Sequence, residues 1–248
     1  MFALQTLGTA AFCLSCLAVG VRLALLARRT RRLPEAVFAL ALLSAGGLGY
    51  GSAALSVSGV TELPLLGIPT IQLALIGVGL GASGVGVFTW RVFRPSSRSA
   101  LALLGIGVGL IATSIAALIL TGHGDARDLL TPWFWVGFAP RSLAYAWSGA
   151  ESMRYFVLMR RRQRLGLADG ADAQRFLLWG VAALAAFSMH VPVALDALSG
   201  SSRPGMEPSS ALVAAALGLT SAGALWRAFF GPIPFSRFGR RRPPQTPS

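Results

Sequence analysis

Residues 69–94 read Pro-Thr-Ile-Gln-Leu-Ala-Leu-Ile-Gly-Val-Gly-Leu-Gly-Ala-Ser-Gly-Val-Gly-Val-Phe-Thr-Trp-Arg-Val-Phe-Arg. No charge interrupts this run before Arg91. About 20 apolar residues, wound as a helix, cross the ~30 Å hydrocarbon core of a bilayer. Windows of the same kind recur along the chain and give seven candidate spans, at about 3–27, 34–57, 69–92, 99–121, 137–160, 172–198 and 207–230. The expected fold is all-α: one domain over 1–231, a bundle of seven transmembrane helices. Residues 232–248 are rich in Pro and Arg and read as a disordered basic tail.

Composition agrees. Of the 248 residues, 54% are hydrophobic and 12% charged, with mean hydropathy +0.64. So little charge cannot solvate a globule of this size. Two cysteines, Cys13 and Cys16, cannot build a disulfide framework. The sequence has no Lys and no Asn, which points to a GC-rich bacterial genome and so to a bacterial inner membrane.

The net charge of +13 invites a nucleic-acid reading, but the positions of the arginines argue against it. Arg28–Arg32, Arg91–Arg98, Arg160–Arg175 and Arg227–Arg242 hold 17 arginines in alternate connections. The other connections hold Arg127 and Arg203 alone. The positive-inside rule puts the N-terminus outside and the C-terminus in the cytoplasm. Anionic lipid headgroups, not nucleic acid, are the expected partners of these clusters. The first span has its basic cluster after it and reads as an uncleaved anchor. Pro34, Pro69 and Pro208 sit where first helical turns begin, and Ser99 and Asp172 are candidate N-caps.

Glycines recur at four-residue spacing: Gly47 with Gly51, Gly77 with Gly81, and Gly105 with Gly109. Small residues one turn apart let helices approach closely in lipid, so spans two to four are expected to form a tight trio. Gly20 in span one is expected to lie off any such contact. The run Gly79–Gly84 matches a dinucleotide fingerprint, but it lies inside an apolar helix and lacks the required strand. Gly81-Ala82-Ser83-Gly84 also matches the serine motif of rhomboid proteases. By helical rise, however, Ser83 and His190 lie ~13 Å apart in depth, too far for a nucleophile and its base. Cys13 and Cys16 lack two further ligands for zinc, and a haem between His123 and His190 would use both histidines of the chain. No metal and no cofactor is expected. A retinal protein is excluded because there is no Lys for a Schiff base.

Span five differs from the rest. Arg141, Tyr145, Ser148, Ser152 and Tyr155 share one side of the helix, with Glu151 on its flank. Ionisable groups inside a span are costly and face a bundle interior or a cavity. Counted back from Arg160, Glu151 lies ~13 Å above the inner surface, near mid-membrane. It reads either as part of a structural seam, neutralised by Arg154 or protonated, or as a ligand or proton site, with the stripe facing spans six or seven. Toward the outer side, Tyr50, Arg141, His190 and Asp196 are candidates for a shallow pocket. Trp133, Phe134 and Trp135 read as an interfacial aromatic belt.

The segment Arg160-Arg161-Arg162-Gln163-Arg164-Leu165-Gly166-Leu167-Ala168-Asp169, continuing through Arg175-Phe176-Leu177-Leu178-Trp179-Gly180, resembles a stretch in uncharacterised polytopic membrane proteins of GC-rich bacteria. The seven-helix plan is similar to the sensory regions attached to some bacterial histidine kinases, although no kinase follows span seven in this sequence. That likeness implies a non-enzymatic sensory or accessory role through a membrane or cytoplasmic protein partner. The alternatives are a small-molecule or ion transporter along the stripe of span five, and an intramembrane enzyme. Paired carboxylates for the last are lacking.

Overall fold

The computed structural model describes residues 2–63, 67–121, 131–167, 170–201 and 207–230. His123 and the tail at 232–248 lie outside the described residues. Among the described residues the regular structure is helical apart from one hairpin of two two-residue strands. Helix α1 spans Phe2–Thr30, followed by α2 at Leu33–Leu43. A π-helical stretch, Ser44–Gly51, continues without a break into α3, Ser52–Val57. Strands β1, Glu62–Leu63, and β2, Ile68–Pro69, pair antiparallel. Then come α4 at Thr70–Phe93, α5 at Arg98–Leu120 and α6 at Pro132–Arg164. The last elements are α7 at Gly170–Ser188, α8 at His190–Leu198 and α9 at Pro208–Phe230.

Among the described residues, six helical segments are long and apolar enough to cross a membrane: Leu7–Thr30, Leu33–Ser56, Thr70–Phe93, Arg98–Leu120, Gly170–Leu198 and Ser209–Phe230. The protein is therefore a multi-pass membrane protein by length and composition. The exception is α6, whose buried Arg141, Ser142, Ser148, Glu151 and Ser152 lower its hydropathy. At 33 residues it is ~50 Å long and outreaches the hydrocarbon core.

The helices close a ring. Helix α1 packs on α2 and α9, α2 on α4, α4 on α6, α6 on α7, and α7 on α9. Helix α5 stays outside the ring, lying against α4 and α6 with Leu103, Ile106 and Leu110 exposed. Arginine-bearing ends meet: Arg22 of α1 lies over Phe230 at the end of α9, and Arg94 after α4 pairs with Glu151 of α6. Phe93 at the end of α4 packs there against Phe176 at the start of α7, with ring centroids 6.0 Å apart.

Glycine contacts differ from the sequence expectation. A methyl placed on Gly77 would overlap the backbone of Leu48 and Gly49, and one on Gly81 would come 2.6 Å from the Cβ of Ala45. The α2–α4 pair is thus as close as expected. Its partner for Gly77 is Gly49, however, and not the expected Gly47 or Gly51. The π-helical turn holds an extra residue, which rotates the following positions off the four-residue register. A methyl on Gly47 meets only Leu17, and one on Gly51 meets only a carbonyl of its own helix. Gly105 and Gly109 are corrected outright: a Cβ there meets nothing within 4 Å, since α5 turns them away from the ring. The trio of spans two to four is therefore a close pair with a looser neighbour. Gly20 is corrected too, since a Cβ there would come 2.8 Å from Leu43 Cγ. Cys16 is fully buried against Gly46, as befits a small core residue.

Helix starts show smaller shifts. Ser97, not Ser99, caps α5: its Oγ accepts from the Ala100 backbone N–H at 3.2 Å. Asp172 lies in the first turn of α7, 3.8 Å from Arg175. Pro69 ends β2 and caps α4, where the Thr70 hydroxyl donates to Val60 O at 2.7 Å.

Candidate functional site

A cavity of about 340 Å³ lies inside the ring, toward the end away from the arginine clusters. Early α1, the π stretch, early α4, early α6, α8 and early α9 all contribute to its wall. Phe12, Tyr50, Phe134, Phe138, Arg141 and His190 line it, together with small residues such as Ala53 and Ala74. Tyr50 reaches it because the widened π turn re-aims its ring, which meets Phe12 edge-on at 5.2 Å. Pro192 lacks an amide proton, and the helix accordingly breaks between Ser188 and His190. His190 sits at that break with its Nδ1 2.9 Å from Ala186 O. A carbonyl only accepts, so Nδ1 carries the proton, and Nε2 of a neutral ring is then an acceptor. The ring rests against Phe138 and Tyr145, at 5.4 and 5.7 Å between centroids.

Arg141 is the charged member. It is 7% exposed, and its Nε donates to Gly137 O at 2.9 Å, one turn back on its own helix. Among the described residues no carboxylate lies within ion-pair distance of it. Its Nη groups make no hydrogen bond to another described residue.

Three of the four residues expected to form the outer pocket thus line one cavity: Tyr50, Arg141 and His190. Asp196 does not join them. Its Oδ1 accepts from the Ser210 hydroxyl at 2.8 Å, tying α8 to α9. Tyr145 and Ser148 line a separate void of about 50 Å³, beside Phe88 and Trp179. In the aromatic run at 133–135, Phe134 turns inward and is buried, whereas Trp133 stays exposed.

Glu151 is engaged on both carboxylate oxygens. Its Oε1 accepts from Arg94 Nε at 2.7 Å, and its Oε2 lies 3.4 Å from Arg154 Nη1. Both arginines are about half exposed while Glu151 is buried, so the cluster sits at the arginine-rich end of the bundle. The partner expected from sequence, Arg154, is present. The shorter contact, to Arg94 across to α4, joins residues 57 apart, and no local pattern encodes it. Glu151 therefore faces α4 as well as its own helix. Among the described residues its polar partners are Arg94 and Arg154, and none comes from spans six or seven. Glu151→Gln keeps an acceptor for Arg94, and with both partners about half exposed it is expected to cost on the order of 1 kcal/mol or less. Unfolding in detergent checks this; a loss of all folded protein would contradict it.

Above this cluster lies an aromatic layer. Phe38 stacks on Phe88 at 4.4 Å, Phe88 meets Trp179 at 5.3 Å, and Trp179 stacks on Phe229 at 5.8 Å. Phe93 and Tyr155 add a contact at 4.8 Å. Helices α2, α4, α6, α7 and α9 are linked through these rings, which fill the ring's centre between the cavity and the arginine-rich end. Among the described residues no three His, Cys, Asp or Glu converge. The Gly79–Gly84 run serves packing: Gly81 and Gly84 face α2, and Gly79 faces Ile111 and Ile115 of α5.

No family profile matches the chain, and neither a curated protein nor a solved structure is similar to it. Function rests on the site alone.

Proposed function

We propose that the chain is a non-enzymatic protein of a bacterial inner membrane, sensory or accessory in role, which binds a small molecule and acts through a partner protein. It crosses the bilayer seven times, with the N-terminus outside and the C-terminus in the cytoplasm. The arginine asymmetry supports this orientation, and the place of α6 in the ring, between α4 and α7, supports the seventh crossing. Anionic lipid headgroups then meet the arginine clusters on the cytoplasmic side.

The observation that carries the binding role is the Arg141 cavity: concave, mostly apolar, with a few converging polar groups. The layer of rings beneath it favours a receptor over a conduit. A transport pathway along span five draws less support, because both oxygens of Glu151 are engaged by arginines.

Filling the cavity tests the binding role. Ala53→Phe and Ala74→Phe should abolish retention of a small molecule by protein ejected directly from native membrane vesicles into a mass spectrometer. Wild type should retain it. Equal spectra for wild type and both filled variants would contradict the reading.

A further inference from the structure

The chemistry of the cavity narrows what it takes. From the geometry we infer that its ligand is a small amphipathic anion: a single oxyanion carried on an apolar body. This inference rests on the binding role proposed above.

Four observations converge. Arg141 is 93% buried, yet one backbone carbonyl is its single hydrogen-bond partner among the described residues. A guanidinium has five N–H donors in a fixed fork, matched to the two oxygens of a carboxylate or the oxygens of a phosphate. Buried charges are paired, and the residues lining this cavity include no Asp or Glu to do so. Among the described residues none supplies the counter-charge, which is assigned by inference to the cavity's occupant. Beside the guanidinium, the Tyr50 phenol and the His190 ring supply neutral hydrogen-bonding groups. The rest of the wall, with Phe12, Phe134 and Phe138, is apolar and aromatic. A hydrophilic anion such as free phosphate or sulfate would gain nothing from those walls.

Size supplies the last restriction. About 340 Å³ is near the lower end of the ~300–1,000 Å³ usual for ligand pockets. It holds a medium-length acyl chain or one ring system with its anionic group, but no whole phospholipid. The oxyanion could still be lipid-borne, with a headgroup phosphate in the cavity and acyl chains outside it. Both sources present the same chemistry to Arg141.

The test uses full-length protein in phosphatidylcholine nanodiscs and tritiated dodecanoic acid as the probe, read by scintillation proximity. Wild type should bind it saturably, with dodecanol competing at least about tenfold more weakly than unlabelled dodecanoate, the expected effect of losing a charge-assisted bond. Arg141→Gln should weaken dodecanoate by a similar factor and leave dodecanol unchanged, while Arg141→Lys restores part of the difference. Size-exclusion profiles check that each variant is folded. Doping the discs with phosphatidylglycerol separates the sources: displacement of dodecanoate identifies a lipid-borne oxyanion, and undiminished binding a free one. Equal competition by acid and alcohol, both lost in Ala53→Phe, would overturn the anion inference and leave the binding role standing. No displaceable binding of either, together with no retained molecule in the vesicle spectra, would overturn both.

Discussion

Gly77→Leu is expected to reduce the folded yield to a small fraction of wild type. The π stretch that continues α2 meets α4 at Gly49 and Gly77 with the backbones in contact, and a Cβ on Gly77 would overlap the main chain of residues 48 and 49. Backbone cannot rotate away as a side chain can. Relief requires the helices to part along the whole interface, which also carries Gly81 on Ala45 and Gly84 on Ala41. In lipid, packing of this kind takes the place of the hydrophobic drive that holds soluble helices together. Overpacking usually costs about 1–3 kcal/mol, and a clash with backbone on both sides belongs at or above the top of that range. Gly105→Leu is the matched control on α5, where a Cβ meets open space. It should be neutral, or slightly favourable through higher helix propensity. Monodisperse yield in detergent reads both variants, and equal yields would show that the α2–α4 contact is not a tight one.

Arg141→Met should act in the opposite direction on stability. An ionised guanidinium at membrane depth costs about 2.5–3.5 kcal/mol by insertion measurements, and replacing buried charge with an apolar side chain of similar length often stabilises. One hydrogen bond, to Gly137 O, is lost in exchange. The ligand-free protein should therefore become more stable by about 1–3 kcal/mol, while retention of a small molecule in native vesicles is lost. Such a trade identifies a residue kept for function at the expense of stability. Destabilisation by the same substitution would instead mean that Arg141 holds the fold together. Thermal unfolding of apo protein, followed by the fluorescence of the tryptophans, distinguishes the two.

How far the sequence could be read depended on the range of the information. Helix positions were legible because apolar runs and the Arg clusters that end them are local: the run at 69–92 became α4, Thr70–Phe93, and that at 99–121 became α5, Arg98–Leu120. The glycine partners were not, because the π turn at Ser44–Gly51 shifts the register and so makes Gly49 the contact in place of Gly47. Nor does the Gly-rich pattern of α5 say that α5 lies outside the ring. Tyr50, Arg141 and His190 were readable as one pocket because each is a polar residue near the same end of an apolar span. Asp196 satisfied that criterion equally well, yet it faces Ser210, since which way a side chain points depends on the helix packed against it. The Arg94 partner of Glu151 was not legible, because it lies 57 residues away on another helix.

Helix α6 carries both the cavity arginine and the ion cluster, so its crossing of the membrane underlies the whole account. Reporter fusions truncated after Arg127 and after Gln163 flank it most directly. The account predicts a periplasmic reporter after Arg127 and a cytoplasmic one after Gln163, in line with cytoplasmic reporters after Arg32 and Ser97. Reporters on the same side at Arg127 and Gln163 would mean that α6 does not cross, and would contradict the seven-span topology and the site built within the ring.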